Sequence, residues 1–236
     1  MARNTKKKKI IDIQQARTQF APRTRHVDLI PKNLAQETYV HHLNDPRAHV
    51  VFAVGPAGTG KTYLAVLKAI QDLKNDKIRK VVLTRPAVSV EEQHGFLPGD
   101  INAKMDPWCR PLLDIFEDYF SVKDIRGMME ENIIEIAPLA YIRGRTFKDA
   151  FVIFDEAQNS TISQTKAALT RLGEGSRMVV TGDLDQHDRG YDVNGLGDFI
   201  ARTEGQKLEH LRVVRFQRRD VERSAVVQEV LRLYGD

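Results

Sequence analysis

The stretch VFAVGPAGTGKTYLAV, residues 51–66, decides how this chain is read. An apolar run ends in a glycine-rich turn. A lysine and a threonine follow, then a segment with apolar residues at helical spacing. The turn GPAGTGKT (55–62) fits the pattern G-x-x-x-x-G-K-[ST], in the strand-turn-helix context that the pattern requires. Its chemistry explains its residues. Gly55, Gly58 and Gly60 let backbone N–H groups converge on a phosphate with no side chain in the way. Pro56, Ala57 and Thr59 complete the cradle. The helix that opens here turns its unpaired N–H groups and the positive end of its dipole toward the same anion. Lys61 is expected to reach the β- and γ-phosphates, and the Thr62 hydroxyl to ligate Mg²⁺.

Working outward, five more short apolar runs resemble VVFAV (50–54). They are KVVLT (80–84), IIEIA (133–137), AFVIF (150–154), RMVVT (177–181) and LRVVRF (211–216). Near-continuous apolar runs rich in β-branched residues suit strands buried on both faces. Between them lie amphipathic segments, with Leu64, Leu67, Ile70 and Leu73 spaced by three, and SQTKAALTRL (163–172). PKNLAQETYVHHLND (31–45) reads as a short helix closed by Asp45-Pro46, and DVERSAVVQEVLRLY (220–234) as the last helix. Strands alternating with helices predict an α/β fold, a three-layer P-loop core with a mainly parallel sheet flanked by helices. Residues 1–30 carry many charges and little periodicity. They read as a basic flexible arm, with 31–236 as one domain.

A phosphate cradle alone is a binding module; hydrolysis also needs a metal anchor and a group that orients water. FVIFDEAQ (151–158) offers both. Asp155 is expected in the Mg²⁺ shell, and Glu156 is placed to polarise the attacking water. The next strand ends in VVTGDLDQ (179–186). Polar residues at the carboxyl ends of parallel strands face the ligand crevice, so Asp183 and Gln186 are candidates for sensing the γ-phosphate. For Asp183 a plain turn cap is the competing reading.

The chain has 236 residues, 42% of them hydrophobic, so it can bury a sizeable core. It contains no apolar run long enough to span a membrane and no secretory signal pattern. A single cysteine, Cys109, excludes an internal disulfide and a cysteine-based zinc site, and points to reducing cytoplasm. The net charge is +4, concentrated in Lys6 to Lys9 and in Arg212, Arg215, Arg218, Arg219 and Arg223. This permits attraction to nucleic acid. The lysine run is either a solvated tail or a phosphate-contacting arm.

Taken in order, GPAGTGKTYLAV, LTRPAV (83–88), GFLPGD (95–100), DPWCRPL (106–112), IAPLAYIRGRT (136–146), FDEAQN (154–159) and LTRLGEGSRMVVTGD (169–183) make the chain resemble the PhoH family from about Pro31 to Tyr234. That family is similar to the first motor lobe of superfamily 1 helicases. The resemblance implies ATP and Mg²⁺ as cofactors, ATP hydrolysis, RNA or another single-stranded nucleic acid as partner, and a homo-oligomeric ring, a hexamer. It places Gln36 where related helicases read adenine, and Arg85 where related motors contact the nucleic-acid backbone. Arg143 and Arg145, in the loop before the Asp155 strand, meet phosphate of ATP or RNA, or else form surface salt bridges. Members usually read VVRHPLV near the end; here DVERSAVV keeps the arginine as Arg223 but follows it with Ser224 and Ala225.

Two functions compete: an ATP-driven enzyme acting on single-stranded RNA, with helicase-like activity in question, and an ATP-gated binding or assembly switch with slow hydrolysis. A nuclease is disfavoured, since the basic first 30 residues lack an acidic metal cluster. From Val50 onward the chain accounts for one motor lobe and no second. Either ring neighbours substitute for the second lobe or there is no processive motor. Arg223 is therefore expected to reach the ATP of a neighbouring subunit, with Arg215, Arg218 and Arg219 as rivals and a structural ion pair as the alternative.

Overall fold

The computed structural model describes residues 26–86, 101–186, 194–223 and 225–234. The basic arm with Lys6 to Lys9 and the segment GFLPGD (95–100) lie outside them. All six expected strands form: β1 (Val50–Val54), β2 (Lys80–Thr84), β3 (Ile134–Ile136), β4 (Ala150–Phe154), β5 (Arg177–Gly182) and β6 (Leu211–Arg215). They make one sheet in the order β3-β2-β4-β5-β1-β6, with every pairing parallel. The central strands are buried almost throughout, β1 and β4 at all five positions. The short β3 and the Arg212- and Arg215-bearing β6 form the edges, where short or charged strands discourage further pairing.

The period of two divides the core into two layers. Val51 and Ala53 of β1, Phe151 and Ile153 of β4, and Val81 and Leu83 of β2 face one cluster. Phe52, Val152, Phe154, Val82 and Val180 face the other. The first face is covered by α1 (Leu34–Asn44), α2 (Lys61–Lys74), α3 (Ile101–Glu117) and α4 (Val122–Glu130). The second is covered by the 3₁₀ turn Leu139–Tyr141, by α5 (Ile162–Leu169) and by α6 (Gly195–Thr203). This is the expected three-layer P-loop arrangement. Among the described residues no helix is long and apolar enough to cross a membrane.

Local signals start the helices where they do. Asn33 caps α1 by accepting from the Gln36 N–H at 2.9 Å. Ser121 with Asp124, and Thr161 with Gln164, close capping boxes at α4 and α5. Helix α2 is buried well beyond the expected stripe, taking in Ala65, Val66 and Ala69. Lys68 and Asp72 are buried there as a 2.9 Å ion pair, so neither charge is left uncompensated.

Three boundaries differ from the sequence expectation. Val27 is buried and Leu29 packs against the core, so the packed domain reaches upstream of residue 31. Helix α5 stops at Leu169 rather than at residue 172, because Leu172 pairs with Phe147 in an isolated parallel bridge. The last helix, α7 (Ala225–Tyr234), begins after Arg223 instead of at Asp220. Asp220 ends a 3₁₀ turn (Arg218–Asp220), where its carboxylate accepts from the Gln217 N–H at 2.8 Å.

Candidate nucleotide-binding site

The turn between β1 and α2 is held from behind by the rest of the fold. The Gly55 N–H donates to the Gly182 carbonyl at 3.1 Å, tying the turn to β5. A Cβ on Gly55, whose φ is +138°, would lie 2.4 Å from the Phe216 carbonyl oxygen, so only glycine fits. Tyr39 donates its hydroxyl to the Lys61 carbonyl at 3.1 Å, and the Glu222 N–H donates to the Gly58 carbonyl at 3.0 Å. Gly60 precedes α2 at φ +80° and offers no side-chain cap, which leaves the N–H groups of the first turn open to an anion.

Lys61 is buried within this turn. Its Nζ donates to the Gly55 and Pro56 carbonyls, each at 2.6 Å, and to Thr59 Oγ1 at 3.2 Å. Burial lowers its pKa, and the nearby Asp183, Glu156 and Asp155 partly offset that.

The acidic pair stands opposite. Asp155 is 2% exposed. Its Oδ1 accepts from Thr62 Oγ1 at 2.8 Å and also from Thr181 Oγ1. Its Oδ2 accepts from Arg85 Nε at 2.9 Å and also from Arg85 Nη2. Glu156 is exposed and sits in the left-handed region at φ 54°, ψ 38°. For a non-glycine residue that conformation costs roughly 1–3 kcal/mol and clusters at functional sites. Gln158 holds Glu156: its Nε2 donates to Glu156 Oε2 at 2.6 Å, while its Oε1 accepts from the Asp183 N–H at 3.1 Å.

The two halves enclose a cleft of about 300 Å³. Ala57 to Tyr63, Asp155, Glu156, Gly182, Asp183 and Gln186 line it, so most of the expected phosphate, metal and catalytic candidates meet in one place, with Gly55, Pro56 and Arg223 outside the lining. A phosphate chain fits the glycine cradle. A hard divalent cation fits beside the oxygens of Thr62 and Asp155, which already touch. Sequence reasoning missed Gln158, Thr181 and Tyr63. Gln158 was visible as the polar residue ending FVIFDEAQ; nothing in the sequence marked Thr181 or Tyr63.

The outlying candidates separate. Gln36 is buried behind the turn, its Oε1 accepting from the Lys32 N–H at 2.8 Å and its Nε2 donating to the Thr59 carbonyl at 3.1 Å. Here its amide braces the turn. Arg85, expected on nucleic-acid backbone, is ion-paired with Asp155 instead, because the parallel register of Thr84 with Phe154 sets the following residues side by side. Arg145 is paired with Glu135 of β3 and lies 4.9 Å above the Phe147 ring, which is the salt-bridge alternative. Arg143 is exposed, with no side-chain partner among the described residues. Arg223 is exposed beside its own chain's turn: its Nε lies 3.8 Å from where a Cβ on Gly58 would be.

The family model for PhoH-like proteins matches residues 28–235. A PhoH-like protein of Bacillus subtilis (strain 168) is 47% identical over 203 residues, covering 86% of this chain and 63% of that protein. One of Synechocystis sp. is 44% identical over 214 residues, covering 90% of this chain and 64% of that protein. The chain thus spans less than two thirds of the length of these relatives. Among solved structures, the SWI2/SNF2 ATPase core of Sulfolobus solfataricus in complex with dsDNA aligns at 13% identity with a TM-score of 0.45. That alignment covers 83% of this chain and 47% of that one.

Proposed function

This chain belongs to the PhoH-like protein family, and we propose that it binds ATP with Mg²⁺ and hydrolyses it, coupling turnover to single-stranded RNA. One observation carries the reading: Thr62 Oγ1 lies 2.8 Å from Asp155 Oδ1, joining a glycine cradle to an acidic strand end across one cleft. Cradle and acid in contact suit a metal-bound triphosphate, and Glu156 beside them adds a group able to orient and deprotonate water, which a binding module does not need.

The geometry supports the following roles. Lys61 leaves the Gly55 and Pro56 carbonyls for the β- and γ-phosphates. Thr62 and Asp155 would hold Mg²⁺, which would supply positive charge against the charge developing on the transferred phosphoryl group. Glu156 accepts the proton of the attacking water, with its carboxylate steadied by Gln158. Gln186 and Asp183, which line the same cleft as Lys61, are the groups proposed to sense the γ-phosphate. Gln36 reads adenine only if its amide leaves the turn it braces.

For Arg223, the position beside Gly58 supports contact with ATP of the same chain over contact with a neighbour's. A homo-oligomeric ring, a hexamer by family likeness, is part of the proposal. The exposed Val226, Val230 and Leu233 of α7 support self-association. The exposed Arg143 supports a nucleic-acid contact, and the buried Cys109, the chain's single cysteine, accords with reducing cytoplasm.

The deciding experiment measures ATP turnover with and without single-stranded RNA across a salt series. Stimulation severalfold, falling with salt, is expected. Slow turnover indifferent to RNA supports the competing reading, an ATP-gated assembly switch. No turnover together with no ATP binding refutes both.

A further inference from the structure

Asp155, the metal anchor of the proposed site, has no acceptor position left. Thr62 and Thr181 occupy Oδ1, and two nitrogens of Arg85 occupy Oδ2. The pair is shielded from water, with side-chain exposures of 17% for Arg85 and 3% for Asp155. The fold fixes where this happens. Strands β2 and β4 are neighbours in register, and the Asp155 N–H donates to the Thr84 carbonyl at 3.0 Å. The Arg85 carbonyl accepts from the Leu139 N–H at 3.3 Å, so the backbone is anchored at this point and a change of partner at Asp155 would fall on the side chain.

These contacts conflict with a bound metal in two ways. A hydrated Mg²⁺ beside Thr62 needs a carboxylate oxygen of Asp155 to accept from its water shell, and the guanidinium holds that oxygen. The guanidinium also cancels the charge that would attract the cation, in a site where screening by solvent is weak.

We infer that Arg85 is a resident counter-ion, occupying the metal's place on Asp155 in the nucleotide-free protein and leaving it when Mg²⁺ and nucleotide bind. The inference rests on the proposed ATP and Mg²⁺ reading of the cleft. Arg85 is on this view a positioning residue that sets how much Mg²⁺ the site requires. The alternative is a permanent brace, which orients Asp155 and remains in place with the metal bound.

The two roles predict opposite effects. A fluorescent non-hydrolysable ATP analogue is bound at fixed concentration while Mg²⁺ is titrated, for the wild type, Arg85→Gln and Arg85→Lys. If Arg85 competes with the metal, Arg85→Gln lowers the half-saturating Mg²⁺ by about tenfold, the scale of removing one unit charge from a poorly screened site. Arg85→Lys, which keeps the charge, stays near wild type. Affinity for the analogue in excess chelator does not rise. A Mg²⁺ requirement unchanged or raised in Arg85→Gln overturns the inference, as does an equal gain without metal.

A second measurement needs only folded wild type: the Arg85 Nε–H resonance, assigned by its loss in Arg85→Lys. It is expected to move and lose exchange protection with Mg²⁺ and analogue together, and to stay in place with analogue in chelator. A resonance unmoved by both together overturns the inference even if Arg85→Gln does not fold. Failure of the wild type to bind the analogue under any condition is a different result, and it refutes the ATP reading itself.

Discussion

Gln158→Leu is the sharpest probe of how the candidate base is held. The substitution keeps a side chain of similar volume at a buried position and removes both of its hydrogen bonds. The Asp183 N–H then loses its 3.1 Å partner inside the protein. An unpaired buried donor costs roughly 1–3 kcal/mol. For a domain of this size that lowers Tm by about 2–4 °C per kcal/mol, so a drop of about 2–12 °C is expected. The second loss is the 2.6 Å bond that steadies Glu156. A general base contributes ~10²–10⁴ in rate, and a loosened carboxylate forfeits part of that, so kcat should fall about tenfold to a hundredfold. Gln158 stands behind the cleft wall and not among its lining residues, so KM for ATP should change little. Steady-state ATPase kinetics and thermal unfolding of the same preparation test both effects. A lowered Tm with unchanged kcat would refute the positioning argument and leave Gln158 as a structural bridge. A raised KM at constant kcat would place it on the nucleotide.

Further predictions test other parts of the proposal. Lys61→Ala should abolish hydrolysis and weaken nucleotide binding, whereas Glu156→Gln should bind ATP and fail to turn it over, as read by equilibrium binding and phosphate release. A chain starting near Ile10, without Lys6 to Lys9, should bind RNA more weakly and with a shallower dependence of log affinity on log salt; an unchanged slope would make the run a solvated tail. If Arg223 serves its own chain's ATP, mixing Arg223→Ala with Glu156→Gln should restore no activity after proven subunit exchange. Recovery would assign it to a neighbour's site.

The fold was more legible than the site, and the difference has a physical cause. Strands buried on both faces have to be continuously apolar, so each of the six announces itself locally. Helix α3 does not, because Pro107 and Pro111 lie inside it, and proline normally ends a helix. Burial of Leu112, Leu113 and Phe116 in the core outweighs that local preference. The phosphate turn was legible because its parts are contiguous. The surroundings of Asp155 were not, since they come from β2, α2 and β5. Only the strand order, with β4 between β2 and β5, brings Arg85 and Thr181 to the same carboxylate. Alternation of apolar runs predicts a parallel sheet but leaves that order open.

Two cations at the cleft's phosphate and metal positions have partners within the protein: Lys61 in carbonyls of its own turn, Arg85 in Asp155. The consequence for ligand choice is direct. A bare anion that draws Lys61 away must replace two partly buried 2.6 Å hydrogen bonds, and it gains nothing at Asp155 while Arg85 remains. A lone divalent cation must displace a guanidinium without any phosphate to receive the lysine. A metal-bound triphosphate answers both demands at once, giving Lys61 new acceptors and Asp155 a new positive partner. Net affinity is then a difference between two sets of contacts, and it favours the ligand that replaces both sets. Inorganic phosphate and free Mg²⁺ should therefore each compete poorly with Mg–ATP. If instead phosphate alone displaces a bound ATP analogue at concentrations near that of the analogue, the internal contacts of Lys61 offer no real resistance, and this account of selectivity fails.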